Sequence, residues 1–243
     1  MVAATRNPTV WERYAWVAGI LFVLALLADF AVAVGIPINQ NDSAAKIATA
    51  LDDHSTQLLV IAGLGVVYAA VFPIYLWKLY DLLRGDAERS RTLAVLVLVG
   101  GALFVALHAI SDVGITGLVG AKLASYGAQH DHSISYALYL MTFAISSVGD
   151  VFGSVFLLAA GVLALRSGLL PRWLAYIAII AAIFLFLQGF GLGGVIATFG
   201  LVLDLIGFVL LLFFVLVSSI IMLRRERRSG NPASPITSAN HRR

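Results

Sequence analysis

His108 and Asp112 stand four residues apart in a long apolar run, LAVLVLVGGALFVALHAISDVGITGL, residues 93–118. On an α-helix, positions i and i+4 share one face, a single turn apart. An imidazole and a carboxylate so placed, and shielded from water, can exchange a proton in the physiological range. Ser111 and Thr116 extend that face into a polar stripe, while Leu103, Leu107, Ile110 and Gly114 fall elsewhere on the helix. Three more aspartates, Asp29, Asp150 and Asp204, lie inside other apolar runs, and Ser146, Ser147 and Ser154 stand i−4, i−3 and i+4 from Asp150. An ionisable side chain in a spanning helix costs roughly 2.5–3.5 kcal/mol on insertion scales and usually faces a bundle interior or a wet cavity. Four such carboxylates on four helices point to a shared polar interior. Asp29, His108, Asp112, Asp150 and Asp204 are therefore the candidate cavity residues, with no lysine or arginine deep enough to neutralise them.

Two other chemistries compete. Polar groups inside a bundle can simply join helices by hydrogen bonds, typically worth about 0.6 kcal/mol each. A metal-assisted hydrolase would draw on His54, His108, His130 and His132, since imidazole and carboxylate bind zinc. Yet His130-Asp131-His132 is an i, i+2 pair in a loop, and no HExxH occurs. An ordinary solvated loop is the plainer reading. The chain contains no cysteine, which removes disulfides and thiolate chemistry. No GxSxG elbow, phosphate loop or dinucleotide fingerprint stands in a supporting context. The sequence thus assigns no catalytic residue, no metal ligand and no cofactor.

The elements that must shelter these groups follow from composition. Of 243 residues, 60% are hydrophobic and 12% charged, against about 25% charged in a soluble domain. The expected fold is all-α, a polytopic bundle of six transmembrane helices at about 14–36, 58–80, 93–118, 136–165, 173–190 and 196–223, in one membrane domain over 14–223. Residues 1–13 form a polar tail. The first run could imitate a signal peptide through Ala31-Val32-Ala33. Its length and the enclosed Asp29 favour a retained span.

Between spans one and two, Ser43 or Asp42 can cap a short helix. Ala44, Ile47, Ala48 and Leu51 form its apolar face. It reads either as an amphipathic helix at the membrane surface or as an extension of span two. Pro73 is expected to kink span two, and Trp77, Lys78 and Tyr80 make an interfacial belt. Gly149 and Gly153 form a GxxxG that permits close helix approach. In RSGLLPR, residues 166–172, Gly168 suits a helix C-cap and Pro171 the next helix start. Gly191, Gly193 and Gly194 separate spans five and six.

Charge sets the expected orientation. Of 16 lysines and arginines, only Lys46 and Lys122 fall on the side opposite the termini. The positive-inside rule then places both termini in the cytoplasm of a cell membrane. At 1.5 Å per residue, Asp29 lies roughly 22 Å from the inner end of its span, and Asp112 nearly 30 Å from its own. Asp204 lies roughly 12 Å from the outer end of span six. Three of the four aspartates thus fall in the outer half, and Asp150 falls near the midplane. The basic cluster at 224–228 suits anionic headgroups of the bilayer rather than nucleic acid. The rest of the tail, to 243, is Ser/Pro/Asn-rich and reads as disordered. Asp29 and Asp150 stand at similar offsets from their span starts, a faint sign of two inverted halves. Asp112 and Asp204 do not repeat it. The sequence sets no oligomeric state.

The segment GSVFLLAAGVLALRSGLLPRWLAYIAIIAA, Gly153 to Ala182, resembles a bacterial family of six-span membrane proteins known as domain of unknown function 4386. WVAGILFVLALLADF from Trp16 and NDSAAKIATAL before span two are also similar to it. The RSGLLPRW turn is the most specific part, and the resemblance covers residues 14–215. It implies a six-span membrane fold and carries no activity, cofactor or catalytic residue. The expected function is passage or sensing of a small solute, proton or cation through an outward-facing polar cavity. The alternatives are a metal-assisted membrane hydrolase and a structural or accessory membrane subunit.

Overall fold

A computed structural model describes residues 10–38, 42–84, 88–189 and 197–229. Every regular element among them is helical: α1 (Val10–Ala33), α2 (Ala44–Asp53), α3 (Ser55–Leu83), α4 (Glu88–Ala109), a π-helical segment (Ile110–Gly120), α5 (Ala121–Gln129), α6 (His132–Ser167), α7 (Arg172–Gly189) and α8 (Ala197–Ser229). Six of these helices (α1, α3, α4, α6, α7 and α8) are long and apolar enough to cross a membrane. The fold is an all-α, multi-pass membrane bundle. The glycines at 191–194 and both chain ends lie outside the described residues, as do the side chains of Lys122, Asp204, Arg227 and Arg228.

The six long helices close into a ring. α1 packs on α3, α3 on α4, α4 on α6, α6 on α7, α7 on α8, and α8 returns to α1. A band of aromatic side chains fills the ring axis. Phe22 stacks on Phe72 at 4.1 Å between centroids, and Phe72 meets Phe104 and Phe156 edge-on at 6.2 and 5.9 Å. All four are at most 2% exposed. Large apolar residues such as Leu24, Val66 and Ile183 point outward. Large apolar side chains outside as well as inside suit a protein whose solvent is lipid.

Local sequence explains the joints. Ser43 caps α2, its hydroxyl accepting from the Lys46 N–H at 3.3 Å. The apolar face of α2 exists as its spacing suggests, with Ile47, Ala48 and Leu51 buried. It packs on α5 and α6 rather than on lipid, forming a small core of Ile47, Leu51, Leu58 and Ala124. α2 and α5 therefore make a cap at one end of the bundle. Helix α3 continues through Pro73, whose surface is exposed. Gly168 ends α6 in the left-handed region at φ 63°, its N–H bonding the Ala164 carbonyl, and the α6–α7 turn follows at once. At the end opposite the cap, Glu226 of α8 accepts from Trp16 Nε1 at 3.0 Å and pairs with Lys78 at 3.2 Å, tying α1, α3 and α8 together.

Span three departs from a uniform α-helix. From Ile110 the winding widens to a π-helix of 11 residues. Such stretches are rare, short in most proteins, and frequent at functional sites. The shared face inferred for His108 and Asp112 presumed α-geometry through both. His108 sits in the last turn of α4 and Asp112 in the first turn of the π segment, and the two take their closest side-chain partners from different helices, Asp150 of α6 and Tyr68 of α3.

Candidate functional site

Two glycines of α6 that face α4 set up the site. A Cβ on Gly149 would fall 2.7 Å from the His108 ring, and one on Gly153 would fall 2.8 Å from the Phe104 ring. The GxxxG face thus receives α4, and Gly149 makes the room that His108 occupies. The ring lies against Phe104, centroids 4.4 Å apart. Its Nδ1 lies 2.9 Å from the Phe104 carbonyl, which only accepts, so Nδ1 carries the hydrogen. That leaves Nε2 facing Asp150 Oδ1 of α6 at 3.4 Å. One further proton shared between Nε2 and the carboxylate would make this pair neutral.

Asp112 takes other partners. Tyr68 of α3 donates its phenol O–H to Oδ2 at 2.7 Å, and Ser111 donates to Oδ1 at 3.1 Å. Around them runs a hydroxyl network between the π segment and α6. Ser146 donates to Ser111 at 2.9 Å, Ser111 also reaches the Thr142 carbonyl at 3.3 Å, and the hydroxyls of Thr116 and Thr142 lie 3.2 Å apart. The polar stripe read from Ser111 and Thr116 therefore faces α6. Asp29 of α1 stands apart: it is buried, and its Oδ1 has no hydrogen-bond partner among the described residues.

Asp29, His108, Asp112 and Asp150 all line one cavity of about 450 Å³. It lies where α1, α4 and α7 end and α6 and α8 begin, at the α2–α5 end of the ring, beyond the aromatic band. Tyr139 of α6 both lines the cavity and packs against the cap core. Asp204 belongs to α8, one residue before the lining Leu205, but its side chain lies outside those described. Three contributors stand outside the candidate cavity residues named from the sequence: Tyr68, Thr142 and Gln188. Gln188 is buried in the cavity wall, and its Oε1 has no partner among the described residues. A phenol in the middle of an apolar span and a threonine four residues before Ser146 were the available signals.

His54 and His130 follow the ends of α2 and α5, and His132 begins α6. His54 Nδ1 meets the Ala50 carbonyl at 2.8 Å, and His132 Nε2 meets the Ala128 carbonyl at 3.1 Å. His130 packs beside Tyr126 at 4.7 Å between centroids. Among the described residues, no three histidine or acidic side chains gather as ligands of one metal ion would. The arrangement can hold a proton between His108 and Asp150, accept hydrogen bonds at Asp29 and Gln188, and enclose a small molecule.

No curated protein and no solved structure matches this chain. A family model does, over residues 17–221, from Val17 at the start of span one to the end of span six. With six membrane-length helices and the RSGLLPRW turn inside that match, the chain belongs to the family described as Domain of unknown function (DUF4386).

Proposed function

We propose that this protein binds a small solute, a proton or a cation in the cavity and passes or senses it across the cell membrane. In this reading both termini are cytoplasmic, the α2–α5 cap faces outward, and the basic residues at 224–228 rest against anionic headgroups. One observation carries the reading: ionisable side chains from α1, α4, the π segment and α6 line a single cavity. Such groups are costly in a membrane unless they serve a wet or occupied interior. The aromatic band around Phe72 closes the other half of the ring, so passage requires it to rearrange while sensing does not. The test is proton and monovalent-cation flux into proteoliposomes, together with ligand-induced thermal stabilisation. Asp150→Asn is expected to abolish flux or stabilisation while the protein stays folded. Unchanged behaviour of Asp150→Asn and Asp204→Asn in both assays would overturn the proposal.

The hydrogen bonds among Tyr68, Asp112, Ser111, Ser146 and Thr142 favour a second reading, in which the polar groups join helices of an accessory subunit. Asp112→Asn would then lower stability or abolish co-purification of a partner, with no solute effect at all.

A further inference from the structure

The lining of the cavity selects its occupant. Asp112 already accepts from Tyr68 and Ser111, and Asp150 faces His108. Asp29, only 9% exposed, leaves Oδ1 without a donor, and Gln188, only 5% exposed, leaves Oε1 without one, among the described residues. Buried acceptors left unpaired are costly, so both call for a group that donates. Charge agrees. Three carboxylates and one imidazole line the cavity, and no lysine or arginine does, among the described residues. An anion would meet repulsion there, whereas a cation would be attracted.

The walls narrow the class further. Phe30, Tyr139, Phe143 and Phe208 line the cavity beside Leu26 and Leu205. Aromatic faces attract cations, and apolar walls favour an apolar body. The volume, about 450 Å³, is that of a small-molecule site, which usually spans roughly 300–1,000 Å³. A hard metal ion instead needs many oxygens converging on one point. The described carboxylates and imidazoles do not converge in that way.

We propose that the cavity takes a small organic cation, a protonated amine on an aromatic or aliphatic body. Asp29 is its counter-ion, Gln188 its second acceptor and the aromatic side chains its walls. The assignment rests on the reading of the cavity as a solute site. The full chain in nanodiscs is titrated with 2-phenylethylammonium, with uncharged 2-phenylethanol and with sodium, following heat of binding and thermal stability. The amine is expected to bind about tenfold or more tighter than the alcohol, the increment of a charge-assisted hydrogen bond. Asp29→Asn should remove most of that advantage. Gln188→Leu should weaken the amine by a smaller factor. Equal binding of amine and alcohol, or a response to sodium alone, overturns the amine assignment and leaves the cavity reading standing. No response to any of the three, with no flux in proteoliposomes, overturns both. The wild-type comparison decides even if Asp29→Asn does not fold.

Discussion

His108 illustrates how a residue acquires a role from its neighbours. Its partner is Asp150, on another helix, and the absence of a side chain at Gly149 allows the approach. Gly149→Ala is expected to push the imidazole away from Asp150 and to cost about 1–3 kcal/mol by overpacking. Gly63→Ala, whose Cβ would meet nothing within 4 Å inside helix α3, should cost nothing and stabilise by up to about 1 kcal/mol. Thermal unfolding of the two variants in detergent checks both. Tyr68→Phe keeps the ring and removes the hydroxyl bound to Asp112. A loss of about 0.5–2 kcal/mol is expected in the same assay. The candidate carboxylates and His108 were legible because charge in an apolar run is conspicuous. Tyr68 and Gln188 were not, because a tyrosine or glutamine in a span is unremarkable until its neighbour is known.

Among elements, span three and the cap differ most from a simple six-helix reading. The winding becomes π-helical after Ala109, and there Asp112 bonds Tyr68 of α3 while His108, just before it, meets Asp150 of α6. Its hydrogen-bond pattern depends on the contacts the segment makes with α3 and α6, so apolar periodicity alone does not reveal it. The α6 helix has 36 residues, roughly 54 Å of helix against a hydrocarbon core of about 30 Å. Its surplus turns carry Tyr136 and Tyr139 up to the cap. Ile47→Ala should cost about 2–5 kcal/mol of cap stability, because Ile47 is fully buried. Hydrogen exchange should then rise in α2 and α5 and stay low in α7. At the start of α6, the hydroxyl and N–H of Ser133 hold the exposed Asp131 carboxyl below its ordinary value of 3.8. Because the folded value is depressed, the contribution of the Asp131–Ser133 bonds is present above 3.8 and is lost as pH falls through the lower value. An NMR titration of the Asp131 carboxyl carbon should show a midpoint under 3.8.

At the scale of the whole molecule, the ring has two unlike halves. Stacked aromatics fill one, and a cavity lined by three carboxylates and His108 lies in the other, toward the end that carries α2 and α5. Orientation in the membrane decides which face of the cell that cavity serves. The chain has no cysteine, so single-cysteine variants report sidedness without background. Ser125→Cys on the exposed surface of α5 should react with an impermeant maleimide added to intact cells, and Ser167→Cys at the far end of α6 should react only after lysis. The reverse pattern would place the cavity on the cytoplasmic side.

The sequence by itself determined the fold class, the number of long apolar helices, the Gly168 turn and the unusual presence of aspartates inside spans. Those are local properties: hydrophobic length, glycine's access to positive φ and the cost of charge in lipid all act within one segment. Only the tertiary structure decided that His108 meets Asp150 and not Asp112, that α2 packs on α5, and that Asp29 and Gln188 share one cavity, each with an oxygen that has no partner among the described residues. These depend on which helix faces lie opposite each other. In a bundle whose helices are apolar all round, periodicity does not mark the inward face, so side-chain packing and a few interhelical hydrogen bonds must choose it.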